Sequence, residues 1–222
     1  MPWDGTFTGN SSKRADRPNW RSSSDYNIQF KPSDSDVKLA FHHICDWALL
    51  RDTWNRLVDD KHYATICCWL YAVGFDVKNT YHETGEPQTP VAIATQIMKG
   101  EDVYDVADAD EVHTRITWST WNLVEGPKED TRSDDRGNFH DRFSNVRGGI
   151  SESERADLTG PDRLYSIMSG LNLSQPIPLL KAIDLSKALM SVNRKAKVIK
   201  FREQMWTKAS GGMKKCWRKN LQ

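Results

Sequence analysis

Residues Ala40, His43, Trp47, Leu50, Trp54 and Leu57 recur three and four positions apart, and Phe41, Ile44 and Ala48 widen the same side. That spacing predicts an amphipathic helix, and Ser33–Asp36 just before it offers good N-cap residues. A second apolar segment, His62 to Phe75, carries Ile66, Cys67, Trp69, Leu70 and Val73, with Gly74 near its end. Together the two predict a helical hairpin at the centre of the fold. Thr89–Pro90 is a cap-then-proline start for another helix, with Val91, Ile93, Ala94, Ile97 and Met98 on its apolar side and Gly100 closing it. His113–Val124 is ambiguous, because Thr114, Ile116, Trp118 and Thr120 alternate as in a strand. No strand partner is evident, so a helix is expected there.

Gly126 to Gly160 breaks the pattern with mixed charges and Gly137, Gly148 and Gly149. It is long for a connection inside a compact domain. Ser151 and Glu154 have the spacing of a capping box and predict a short helix near its end. A further short helix is expected over Pro161–Gly170, and Pro176 and Pro178 introduce the last one. There Ala182, Leu185, Leu189, Val192, Ala196, Ile199 and Trp206 continue the three-and-four spacing as a heptad-like stripe up to Gly211–Gly212. Residues 1–34 show no sustained period and read as a flexible arm dotted with Trp3, Phe7, Trp20, Tyr26 and Phe30. Those aromatics either dock on a partner or pack back on the chain's own core. The expected fold is mainly α: the arm, a helical core at 35–125, a charged linker at 126–160, and a C-terminal helical arm with a basic tip at 161–222.

Charge changes this picture at one end. Of the chain's 31 Lys and Arg, 11 lie between Leu185 and Gln222, where Glu203 is the one acid. The remaining 184 residues then hold 20 bases and 29 acids, so a net charge of +1 conceals a basic end on an acidic body. Such an end attracts a polyanion. Candidate phosphate contacts are Arg194, Lys195, Lys197, Lys200, Arg202, Lys208, Lys214, Lys215, Arg218 and Lys219, with Trp217 as a base-stacking platform. Leu185, Leu189, Val192, Ile199 and Trp206 form the candidate assembly seam.

Other chemistry is weakly signalled. His42 with Cys45, and His62 with Cys67, could be drawn into a zinc tetrahedron, but there is no Cys-x-x-Cys pair and buried cysteines are ordinarily small hydrophobes. No P-loop, dinucleotide fingerprint or nucleophile elbow is present, so no cofactor and no catalytic residue are expected. The acidic stretch Glu101–Glu111 reads as a partner for a basic tail. The first 24 residues lack the apolar run of a secretory signal, and no apolar run approaches membrane-spanning length. An intracellular, cytoplasmic setting is the default, with the nucleus or a virion compatible.

These features predict a non-catalytic, self-assembling protein that holds nucleic acid, single-stranded RNA without sequence preference, on its basic end. The plan of arm, helical core and basic segment is one that viral coat and nucleocapsid proteins use, which is an analogy of architecture only. The rival reading is an interaction adaptor, such as a viral accessory protein, whose basic helix binds an acidic protein partner through the apolar seam.

Overall fold

A computed structural model describes residues 3–9, 13, 15, 39–75, 89–99, 106–127, 151–202, 206–211 and 214–219, with backbone alone for 106–108, 206–211 and 214–219. In chain order these hold β1 (Leu39–His43), α1 (Trp47–Asp59), α2 (Tyr63–Ala72), α3 (Pro90–Lys99) and α4 (Val106–Thr117). A 3-10 turn at Thr120–Asn122 leads to β2 (Leu123–Pro127), and then follow α5 (Glu152–Ser169), α6 (Leu179–Ser191), β3 (Trp206–Gly211) and β4 (Lys214–Lys219). The fold is mainly α.

The first helix starts later than its apolar spacing predicts. Asp46 is the N-cap, accepting the Leu49 amide at 2.9 Å, and the preceding Leu39–His43 is a strand. Its antiparallel partner is β2, with Phe41 opposite Glu125 and His43 opposite Leu123. Taking Ala40–His43 as helical hid the partner that would have made Leu123–Pro127 legible as a strand. Asn122 fixes the corner between them: its side chain accepts the Cys45 amide at 2.7 Å and donates to the Cys45 carbonyl at 3.0 Å. Both Cys45 and Asn122 are fully buried, so these bonds satisfy polar groups that water cannot reach.

Helices α1 and α2 form the expected hairpin, turning through Lys61 at φ 61°. Helix α2 is apolar nearly all round and lies centrally, against α1, α3 and α6. Thr89 caps α3 by accepting the Ala92 amide at 3.0 Å, as the Thr-Pro pair predicts; Gly100 lies outside the described residues. Ser151 and Glu154 form the full capping box of α5. That helix runs on through Pro161 instead of ending before it, so the two short helices expected there are one. At Gly160 it crosses α6 so closely that a Cβ would lie 2.9 Å from the Val192 Cα.

The C-terminal helical arm is the largest correction. Helix α6 stops at Ser191, and Val192 is already extended at φ −68°, ψ 131°. Asn193 then makes a turn, its side chain accepting the Lys195 amide at 3.0 Å and its carbonyl the Ala196 amide at 2.9 Å. Ile199 forms a parallel bridge with Val124, and residues 206–219 contain a β-hairpin in place of helix. Val192, Ala196 and Ile199 keep helical spacing only because turn and bridge happen to bury every third or fourth residue.

The N-terminal segment is not a free arm over the residues described. Phe7 is 1% exposed, and Trp54 donates its indole N–H to the Gly5 carbonyl at 2.7 Å. Asn55 brackets Phe7, accepting its amide at 2.7 Å and donating to its carbonyl at 3.0 Å. Trp118 donates to the Ala15 carbonyl at 3.0 Å. Trp3 and Phe7 therefore pack on their own core, while Trp20, Tyr26, Phe30 and most of the expected 126–160 linker lie outside the described residues.

Candidate nucleic-acid interface

Between Arg194 and Arg202 the cations divide by what their neighbours offer. Arg194 lies over the Tyr71 ring, 4.0 Å from its centroid. Lys200 donates to Glu125 at 2.6 Å, and because that carboxylate is 1% exposed, the lysine neutralises a buried charge. Arg202 forms a two-pronged pair with Glu154 at 2.7 and 2.8 Å. The Arg202 bonds hold the Glu154 carboxyl down to about 2, against the opposing effect of burial and with help from Ser151. These three side chains tie the segment after α6 to α2, β2 and α5. Lys195 and Lys197 remain exposed on the turn.

The other candidate contacts sit on the hairpin, and its register sorts them. Trp206 is opposite Lys219, Lys208 opposite Trp217 and Ser210 opposite Lys215. Directly opposite residues of an antiparallel pair share a face, and alternate residues along a strand do too. One face therefore carries Trp206, Lys208, Ser210, Lys215, Trp217 and Lys219. The other carries Thr207, Ala209, Gly211, Lys214, Cys216 and Arg218. Both tryptophans fall together with three lysines, at diagonal cross-strand positions about 7–8 Å apart.

The seam residues go elsewhere. Leu185, Leu189, Val192 and Ile199 are buried in the chain's own core, so they are closed to assembly and to an adaptor's partner alike. Trp206, read as the end of that seam, instead opens β3. The sequence did carry a signal for this: Trp206-x-Lys208-x-Ser210 and Lys215-x-Trp217-x-Lys219 alternate on either side of Gly211–Gly212, the pattern of a hairpin.

The histidines and cysteines weighed for zinc have other neighbours. His42 bonds to the Pro127 carbonyl and His62 to the Ile177 carbonyl, at 2.8 and 2.7 Å, and the Cys45 thiol donates to the Pro161 carbonyl at 3.7 Å. Burial pushes the Cys45 thiol well up, which favours the protonated form that metals do not bind. Among the described residues no three His, Cys, Asp or Glu side chains are grouped to share a metal ion. No helix among them is long and apolar enough to cross a membrane. No protein-family model matches this chain, and comparison with curated proteins and with solved structures finds no match.

Proposed function

We propose that this chain is a non-catalytic nucleic-acid-binding protein that grips single-stranded RNA on one face of its C-terminal hairpin. The observation that carries the reading is the β3–β4 register, which gathers Trp206 and Trp217 with Lys208, Lys215 and Lys219. Aromatic residues between cations are the recurring chemistry of single-strand binding: bases stack on the rings while the cations follow the phosphates. The spacing favours unstacked bases. Even within a DNA duplex, successive bases lie only about 3.4 Å apart along a strand, less than half the distance between the two tryptophan positions. Nothing in this chemistry selects a base, so little sequence preference follows.

The reading asks nothing of the histidines as acids or bases. His42, His43, His62 and His113 each hold a backbone carbonyl, binding segments of the chain together. It also relieves Lys200 and Arg202 of the phosphate role expected from charge alone, since both already pair with carboxylates. Lys195 and Lys197 serve as outlying attraction.

Fluorescence anisotropy with a labelled single-stranded RNA tests the reading. Trp206→Ala and Trp217→Ala should each weaken binding about 5- to 150-fold, the range for loss of one stacked base. Replacing Lys208, Lys215 and Lys219 by Ala should reduce the log–log salt slope by about 2. Absence of binding by the intact chain at low salt would contradict the proposal.

A further inference from the structure

Helix α6 has apolar residues on two sides. Ala182, Leu185, Ala188 and Leu189 are buried, facing α2 and α5. On the opposite side Leu179 is 68% exposed, Leu180 76%, Ile183 40% and Met190 54%. At 3.6 residues per turn these four fall within about 100° of arc, with Lys187 among them and Asp184 at the border. A single exposed leucine is ordinary, but four large apolar side chains on one stripe make the kind of patch that marks an interaction site. Neither Asp184 nor Lys187 has an ion-pair partner among the described residues.

We propose that this stripe packs against the same stripe of a second copy, the two α6 helices running antiparallel about a two-fold axis. The charges choose the occupant. The stripe offers one acid and one base three residues apart, so a partner carrying a single sign of charge would meet repulsion as well as attraction. A second copy, inverted, satisfies both. An axis midway between Leu180 and Met190 sets each of these against the other across the interface. It also brings Asp184 of each copy within one residue, about 1.5 Å along the helix, of Lys187 in the other. The contact is isologous and closes on itself, giving a dimer and not a fibre. It uses the side of α6 opposite the predicted seam, and it does not depend on nucleic-acid binding.

Sedimentation velocity of the full chain over a wide concentration range tests this. The unaltered protein should show a monomer–dimer equilibrium. Leu180→Glu with Met190→Glu should raise the dissociation constant by roughly 100-fold or more, as loss of the apolar contacts that anchor an interface does, with the circular dichroism unchanged because both positions are exposed. Asp184→Lys alone and Lys187→Asp alone should each be monomeric, since each sets like charges across the axis. Mixing those two variants should restore a dimer, because 184 and 187 then carry opposite signs in both pairs. A monomer at every concentration would overturn the proposal, whether another segment of this chain or a foreign protein covers the stripe. So would a dimer indifferent to the Leu180 and Met190 changes, or a mixture that stays monomeric.

Discussion

Phe7 shows how far one aromatic side chain can fix an otherwise irregular segment. Its ring lies 5.2–5.6 Å, centroid to centroid, from Trp3, Trp47, Trp54 and His113. Phe7→Ala should cost about 3–5 kcal/mol, the usual range for a fully buried phenylalanine, measured by urea unfolding. A loss under 1 kcal/mol would mean that the segment is not docked in solution. His113 belongs to the same cluster, and burial lowers its pKa from the ordinary 6.5, outweighing its bond to the Lys13 carbonyl. The unfolded chain then takes up this proton more readily than the folded one, so stability should fall as pH drops below about 6.5. Glu154 acts lower down. Its carboxyl titrates near 2 beside Arg202, against an ordinary 4.5, so its stabilisation is intact above 4.5 and lost as pH falls from there towards 2. Urea midpoints measured across this range should show two steps, His113→Gln removing the upper and Glu154→Gln the lower. In the sequence Glu154 was legible only as a capping-box residue and His113 not at all as a titrating group, because one shift depends on Arg202 and the other on burial by segments brought from far along the chain, Phe7 among them.

At the scale of elements, the legible parts were those whose signals are local. The capping box at Ser151, the Thr89–Pro90 start and the α1–α2 hairpin each announce themselves within a few residues. The strands did not. Phe41 faces Glu125 across more than eighty residues, and no short window of sequence shows both. Three-and-four spacing was also an incomplete guide to the end of α6, because an Asx turn at Asn193 and a bridge at Ile199 can bury residues at the same intervals as a helix. The crossing of α5 over α6 depends on Gly160 having no side chain, since the Val192 Cα and the Ser191 carbonyl would lie 2.9 and 3.1 Å from a Cβ. Both are backbone atoms and cannot turn aside. Gly160→Ala should therefore destabilise the protein by about 1–3 kcal/mol, although alanine is the better helix former. A thermal midpoint equal to or above that of the unaltered chain would show that the helices separate without cost.

For the whole molecule, the division of charge was plain in the sequence, but what the charges do was not. Counting bases gave Arg194, Lys200 and Arg202 the same standing as Lys215 and Lys219. The structure separates them: the first group secures the chain to Tyr71, Glu125 and Glu154, and the hairpin register divides Lys208, Lys214, Lys215, Arg218 and Lys219 between two faces. On the proposed reading, position on a face, and not charge alone, governs RNA binding. Two full-length double variants test it at equal loss of charge. One removes Lys215 and Lys219, which share the face with Trp206 and Trp217; the other removes Lys214 and Arg218 from the opposite face. With a labelled single-stranded RNA at moderate salt, the Lys215→Ala, Lys219→Ala protein should lose much more affinity than the other. Equal losses in the two proteins would contradict it.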